Sequence, residues 1–237
     1  VIDAARLRRA RNRFQTSRTL LEGSHLLSAA QAAGAEIESI FSIEEMEGAT
    51  LVTTEILEKI SETQSPQGPI AVMTIPSYQA ITSGNVVVLD QVSDPGNLGT
   101  VIRSAAAFGF GVVAVGGADP WSPKVLRSGA GAHFLTPIER LPSVTPGDLR
   151  TRGFLSVGSV VRGGSASFED LNLTPTDNAQ VALWVGNEAH GLDPDVVRNL
   201  DALISVPMPG LTESLNAAVA ASILMFLWSE IEDRSSR

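Results

Sequence analysis

The sequence predicts an α/β protein of two units, the second built on a parallel sheet. Three observations carry this. Asn85–Asp90 is a near-continuous apolar run of the kind that suits a strand buried on both faces. Strand-like segments then alternate with helix-like ones to the end of the chain. Glycine-bearing loops follow two of those strands directly, where open α/β sheets bind their ligands.

Taken in order, the chain opens on an arginine-rich stretch, Arg6–Arg13, and Thr19–Ala33 follows with helical spacing of Leu20, Leu21, Leu27 and Ala30, stopped by Gly34. Ile37–Phe41 and Thr50–Thr53 are short strand candidates, and Thr54–Ile60 is a short helix with a threonine cap. Pro66-Gln-Gly-Pro69 breaks the chain before a strand at Ile70–Ile75, and Pro76–Gly84 reads as a linker rich in turn formers. The expected domains are therefore 1–76 and 85–237, joined by 77–84. In the second, Leu98, Val101, Ile102, Ala105 and Ala106 mark a helix after the first strand. Further strands are expected at Phe110–Val115, Gly153–Val157, Val181–Val185 and Ala202–Val206. Ala217–Trp228 reads as a buried helix, too short for the roughly 20 residues that span a bilayer.

Composition narrows the function. With 43% apolar and 18% charged residues in 237, the chain can bury a real core. The absence of cysteine excludes disulfides, iron–sulfur clusters and thiol catalysis, and fits a cytoplasmic protein. The three histidines, His25, His133 and His190, have no metal-ligand spacing, so no metal is expected. The net charge of −9 disfavours nucleic acid at first sight, yet six of the 17 basic residues (Arg6, Arg8, Arg9, Arg11, Arg13 and Arg18) crowd the first 18 positions. That cluster is the candidate RNA-phosphate contact.

Three segments carry candidate chemistry. Asp90-Gln-Val-Ser-Asp-Pro-Gly-Asn97-Leu-Gly99-Thr-Val-Ile-Arg103 reads as strand, loop and helix. Asn97 is a possible helix cap, and Arg103 lies off the apolar face, so the core does not require it. Leu183-Trp-Val-Gly186-Asn-Glu188-Ala-His-Gly191-Leu192 runs a strand into a glycine loop that is not a dinucleotide fingerprint. Val206-Pro-Met-Pro-Gly210-Leu-Thr-Glu-Ser214-Leu-Asn216 precedes the apolar helix, with Ser214 as the simplest N-cap and Asn216 in the first turn. No nucleophile elbow accompanies them, which disfavours hydrolysis.

In combination and order, Asn97-Leu-Gly99-x-x-x-Arg103, Gly186-x-Glu188-x-x-Gly191-Leu192 and Pro207-Met-x-Gly210-x-x-x-Ser214-Leu-Asn216 closely resemble the three motifs of the SpoU (TrmH-like) ribose methyltransferases of the SPOUT superfamily. The likeness covers roughly residues 85–232. Leu21-Glu-Gly23 and Thr63-Gln-Ser-Pro-Gln-Gly68 are similar to the L30e-like RNA-binding domain that precedes it in that family. The resemblance implies a deep trefoil knot, against the general rule for folds, and a homodimer joined through the C-terminal domain. It also implies S-adenosylmethionine as methyl donor, held by Gly186, Val206, Met208 and Leu215 with Ser214 and Asn216 beside them. The implied catalytic set is Arg103, Asn97, Glu188, Ser214 and Asn216, acting on an RNA ribose 2'-hydroxyl, with ribosomal (23S) RNA expected ahead of transfer RNA. An antibiotic-resistance ribosomal methyltransferase, or a transfer-RNA enzyme of the same family, is the alternative. An RNA-binding protein without catalysis and a small-molecule α/β enzyme are the readings from other classes. The arginine matching Arg103 is given the base role in the family, but a guanidinium is effectively always protonated. Transient deprotonation beside a phosphate, and phosphate positioning with another proton acceptor, both stay open.

Overall fold

A computed structural model describes the chain except residues 64, 67, 172–179 and 236–237; the side chains of 169, 234 and 235 are also outside the description. Gln64 and Gln67, within the Thr63–Gly68 segment, are therefore outside the described residues. The chain divides into two compact units, residues 1–77 with 119–135, and 78–118 with 136–237.

The first unit holds a four-stranded mixed sheet, ordered β1-β4-β2-β3, of β1 (Arg18–Glu22), β2 (Ile37–Ser42), β3 (Thr50–Leu51) and β4 (Ile70–Thr74). β1 lies antiparallel to β4, with Leu20 opposite Val72 and Leu21 opposite Ala71. The side chains alternate as a pleated strand demands. Leu20, Ile70 and Val72 join Ala4, Leu7, Phe41, Leu57 and Ile60 in one core, whereas Leu21, Ala71 and Met73 join Leu26, Leu27, Ala30, Trp121 and Leu126 in another. Helices α1 (Ile2–Arg6), α2 (Ala10–Thr16), α3 (Ser24–Ala32) and α4 (Thr54–Ile60) cover the sheet.

Two expectations are corrected here. Thr19–Ala33 is not one helix: its first residues form β1, and α3 begins only after Gly23, whose φ of 100° breaks the chain. The leucine spacing fits either period over so short a stretch, and pairing with β4 decides it. Residues 119–135, expected in the second domain, cluster with the first unit. They carry α6 (Pro123–Gly129), and Trp121 fills the core between α3 and the sheet.

The second unit is a six-stranded all-parallel sheet ordered β10-β8-β9-β5-β6-β7. Its strands are β5 (Asn85–Asp90), β6 (Phe110–Val115), β7 (Ile138–Leu141), β8 (Phe154–Ser159), β9 (Gln180–Val185) and β10 (Ala202–Ile204). Every residue of β5 and β6 is buried, as the apolar runs predict. β7 was not foreseen. Its Ile-Glu-Arg-Leu sequence places Glu139 in the interior, where Arg152 and the Ile81 N–H satisfy the carboxylate. Ile81 itself is buried in this unit's core, so part of the expected linker packs rather than tethers.

Four helices complete the unit: α5 (Pro95–Phe108), α7 (Pro146–Thr151), α8 (Pro194–Asn199) and α9 (Ala217–Ser235). α9 packs on α5 through a Ser104–Ser222 hydroxyl pair at 2.7 Å and a tilted Phe108–Phe226 contact at 5.7 Å. α9 is buried on one side only. Ala218, Ala221, Leu224, Met225 and Trp228 are covered, but Val219, Phe226 and Leu227 are exposed, so the helix expected to be buried is buried along one face only. Among the described residues, no helix is long and apolar enough to cross a membrane.

Candidate active site

The site is built at the carboxyl ends of the parallel strands of the second unit. After β5 the chain turns through Gln91, in the left-handed region at φ 58°, and enters α5. The cap of α5 is Asp94, whose carboxylate accepts from the Asn97 N–H at 2.8 Å, with Pro95 in the first turn. Asn97 is thus not the cap, and its side chain is available elsewhere. Its Nδ2 donates to Glu188 at 3.0 Å, and its Oδ1 accepts from Asn216 Nδ2 at 2.9 Å. Asn216 in turn caps α9, its Oδ1 accepting from Ala218 N at 2.9 Å and Val219 N at 3.3 Å. The cap is therefore Asn216 rather than Ser214, two residues earlier in an exposed loop.

Glu188 joins the loops. Besides Asn97 it accepts from the Ser93 N–H and hydroxyl and from the Asp94 N–H, at 3.2–3.3 Å. Partial burial works against its charge, but these donors outweigh it, led by Asn97, and hold the carboxyl down at about 2. It is ionised and fully engaged at neutral pH, which makes it a clamp rather than a proton carrier. Asn187 beside it donates to the Gln91 carbonyl at 2.9 Å and accepts from the Ala189 N–H. Asn187 and Gly191 bond to each other through both backbone groups. Gly186 is buried where this turn closes. A Cβ there would lie 2.2 Å from the Gly191 carbonyl carbon, so no side chain fits.

These loops enclose a cavity of about 600 Å³ lined by Gly186, Val206, Met208, Ser214, Leu215 and Asn216, and by Glu188 and Asn187. The volume falls within the range of about 300–1,000 Å³ typical of small-molecule sites. Ser159, Val160 and Val161 also line it. They were not anticipated, although their position at the carboxyl end of β8 was a usable signal. Arg103 is placed differently. It stands on the exposed side of α5 beside Ser104 and lines none of the cavities described. Among the described residues its guanidinium has no hydrogen-bond or ion-pair partner.

The N-terminal arginines separate into two kinds. Arg9 and Arg11 are exposed, Arg6 faces Asp3 at 3.2 Å, Arg8 reaches the Lys59 carbonyl at 3.4 Å, and half-buried Arg18 pairs with Glu38 at 2.7 Å. Arg13 is 4% exposed. It forks onto Asp119 at 2.9 and 3.0 Å and donates to the Leu7 and Arg8 carbonyls, with Glu62 at 3.8 Å. With most of its N–H groups engaged and its side chain buried, Arg13 does not belong with the exposed RNA-contacting candidates. Among the described residues, no group of three or more His, Asp or Glu side chains is arranged to hold a metal ion.

Fold and site together define an α/β protein with a small-molecule cavity over the carboxyl ends of a parallel sheet. Residues 84–226 match the SpoU rRNA methylase family, and residues 1–71 match the MRM3-like substrate binding domain. The 23S rRNA (guanosine(2553)-2'-O)-methyltransferase RlmP of Bacillus subtilis is 33% identical over 239 residues, spanning 95% of this chain and 94% of that protein. Among solved structures, the SpoU methyltransferase AviRb of Streptomyces viridochromogenes in complex with AdoMet aligns with a TM-score of 0.82 at 26% identity, covering 99% of this chain and 97% of that one. An AdoMet-bound rRNA methyltransferase of Sinorhizobium meliloti aligns with the same TM-score at 27% identity, covering 97% and 93%. The chain belongs to the SpoU rRNA methylase family and is an S-adenosylmethionine-dependent RNA methyltransferase.

Proposed function

We propose that the protein methylates the 2'-oxygen of a ribose in ribosomal RNA, with 23S RNA as its substrate. The observation that carries this is the hydrogen-bonded chain Ser93/Asp94–Glu188–Asn97–Asn216, which locks the three motif segments around the cavity. The name and near full-length match of the Bacillus subtilis relative support the substrate. Bacterial ribosomal RNA as substrate would place the work in the cytoplasm.

The cavity fits S-adenosylmethionine by volume and by lining. Val206, Met208, Leu215 and Ala220 offer apolar surface, and Ser214, Asn216 and the 186–191 turn offer polar groups. When bound, the cofactor supplies an electrophilic methyl group on a sulfonium, so no metal is called for. The task left to the chain is orientation, which can lower a barrier by roughly 7–11 kcal/mol. Glu188 and Asn97 hold the loops, Asn216 fixes the start of α9, and Ser214 faces the cavity. Arg103 binds the substrate phosphate and stabilises the emerging alkoxide. Its unpaired, exposed guanidinium suits this role better than that of a base.

The exposed α9 residues Val219 and Phe226, the latter packed on Phe108 of α5, support a homodimer formed on this helix. Because Arg103 is exposed and lies outside the lining of its own cavity, dimerisation is the step that completes the site. Membership of the family is what supports a trefoil knot in the second unit. In the first unit, read as an L30e-like RNA-binding domain, Arg6, Arg8, Arg9 and Lys59 line a groove of about 970 Å³, together with Glu62, that is suited to RNA phosphates, and exposed Arg11 is a further candidate contact. The domain boundaries proposed are 1–76 and 85–237 about a short joining segment, with 119–135 reassigned to the first domain.

Two measurements test the reading. Calorimetry should show S-adenosylmethionine binding, and its absence at near-millimolar ligand would sink the enzyme assignment. Mass-spectrometric maps of 2'-O-methylation, with and without the gene, should differ in ribosomal RNA. Unchanged ribosomal maps with an altered transfer RNA would move the substrate to the alternative.

A further inference from the structure

Methylation of a ribose 2'-hydroxyl releases a proton, and a guanidinium is a poor place to put it. The acceptor must stand within reach of both the methyl donor and the incoming ribose. His190 has such a position. It lines the cofactor cavity, and it also lines an adjoining cavity of about 510 Å³ that reaches Asp90 and Val115 at the ends of β5 and β6. Its side chain is exposed, so a substrate can approach it.

Glu188 and His190 are the titratable side chains among those lining the cofactor cavity. Glu188 is spent on the loops: its carboxyl is held down at about 2, and its oxygens accept from Asn97, Ser93 and Asp94. An imidazole is the side chain whose ordinary proton affinity lies nearest neutrality, which makes it the commonest general base. The charged side chains lining the two cavities are Glu188, Asp90, Asp193 and Asp195, all acidic. A positive charge formed on the ring therefore meets opposite charge.

The geometry also fixes which ring nitrogen is free. The Asn187 amide donates from Nδ2 to the Gln91 carbonyl at 2.9 Å. Its Oδ1 accepts from the Ala189 N–H at 2.9 Å and the His190 N–H at 3.3 Å. A carbonyl on one side and N–H groups on the other allow the amide one orientation only. His190 Nδ1 lies 3.3 Å from that same Oδ1. An amide oxygen accepts and does not donate, so Nδ1 carries the ring proton and Nε2 keeps its lone pair. Cysteine proteases of the papain type orient a histidine base with an asparagine as well.

We propose that His190 is the proton acceptor of the methyl transfer, held in its Nδ1–H form by Asn187. As the ribose 2'-oxygen bonds to the methyl carbon, the carbon–sulfur bond breaks and the 2'-proton passes to Nε2. The positive charge lost from the sulfonium reappears on the imidazolium, which returns its proton to solvent. His190 is a catalytic residue here, and Asn187 a positioning residue. The proposal rests on the 2'-O-methyltransferase reading and adds the group that takes the proton.

The full chain supplies two tests. Saturated with S-adenosylhomocysteine and observed by imidazole ¹⁵N NMR with the ring neutral, His190 should show the Nδ1–H tautomer. Asn187→Ala should lose that preference, and Asn187→Asp, which keeps an oxygen acceptor, should retain it. In single-turnover methylation of 23S RNA, His190→Ala should slow the transfer by about 10²-fold or more, while calorimetry finds S-adenosylhomocysteine bound as before. The fall in rate of the unaltered enzyme toward acid should be absent in this variant, and added imidazole should restore part of its rate. His190→Gln keeps a hydrogen-bonding side chain without the base and should be as slow as His190→Ala. A full rate in either variant, or an Nε2–H ring in the unaltered protein, overturns the role of His190 and leaves the methyltransferase reading standing. Failure of the unaltered protein to bind S-adenosylhomocysteine overturns both.

Discussion

Arg13 and Arg103 are the same residue in opposite situations, and the contrast separates what holds this protein together from what it works with. Arg13 is buried in the first unit, its guanidinium shared among Asp119, two backbone carbonyls and Glu62. Arg103 stands exposed on α5 of the second unit with no partner among the described residues. A buried guanidinium with nearly all its donors engaged is a structural fastener. One held on a rigid helix with all five donors free is a tool for a phosphate.

The largest expected effect tests the second half of that contrast. Arg103→Ala should lower the methyl-transfer rate by about 10²–10³-fold, the loss typical of removing a group that meets developing charge. S-adenosylmethionine affinity and melting temperature should stay as they are. Arg103→Lys sharpens the role: appreciable rescue favours a base or point charge, and none favours a bidentate phosphate clamp.

Arg13→Ala tests the other half. It breaks the buried ion pair with Asp119, and removing one member of such a pair typically costs about 3–5 kcal/mol. At roughly 2–4 °C per kcal/mol for a chain of this size, the melt should fall by about 10 °C. Methylation at permissive temperature should change little. A normal melt with weakened RNA binding would return Arg13 to the RNA-contacting group and break the contrast.

The difference between the two arginines was only half legible in the sequence. Arg103 stood out because it falls off the Leu98/Val101/Ile102/Ala105 face of its helix, a local property. Arg13 looked like its neighbours because its partner Asp119 is 106 residues away. The same limit governs the fold. β5, β6 and β9 declare themselves by apolar runs, whereas β1 depends on pairing with β4, some fifty residues on, and β7 on a distant arginine that neutralises Glu139. At the site, Glu188 and Asn97 could be singled out from motif spacing. That they touch each other, with Asn216 as third member, required the fold.

Between the two extremes lies Glu188, exposed yet fully engaged. Glu188→Gln keeps the shape but loses the charge that draws in the Ser93 and Asp94 N–H groups. Charge-assisted hydrogen bonds contribute about 1.5–3 kcal/mol each when buried, and less here because the group is exposed. S-adenosylmethionine binding should weaken by about tenfold with little change in the melt. The pH dependence has a definite sign. The carboxyl is lowered in the folded protein from its ordinary 4.5 to about 2. Its contribution is therefore complete above pH 4.5 and lost as the pH falls from there toward 2. Hydrogen exchange at the Ser93 and Asp94 amides should report that loss in the native protein and none in Glu188→Gln. Insensitive amides would show that the clamp does not hold the loop.

The smallest effect concerns the exposed arginines that resemble Arg103 in freedom but not in setting. Arg9 and Arg11 have no ring of motif loops around them; Arg9 caps and Arg11 belongs to the short α2 rather than the rigid α5. A phosphate contact of that kind adds affinity without orienting a reacting atom. Arg9→Ala should therefore weaken RNA binding by a few fold, uniformly across sequences, and reduce the slope of log affinity against log salt by about one. The rate at saturating RNA should not change. A fall in that saturated rate would mean that Arg9 helps aim the substrate, and exposure alone would no longer separate a binding arginine from a catalytic one.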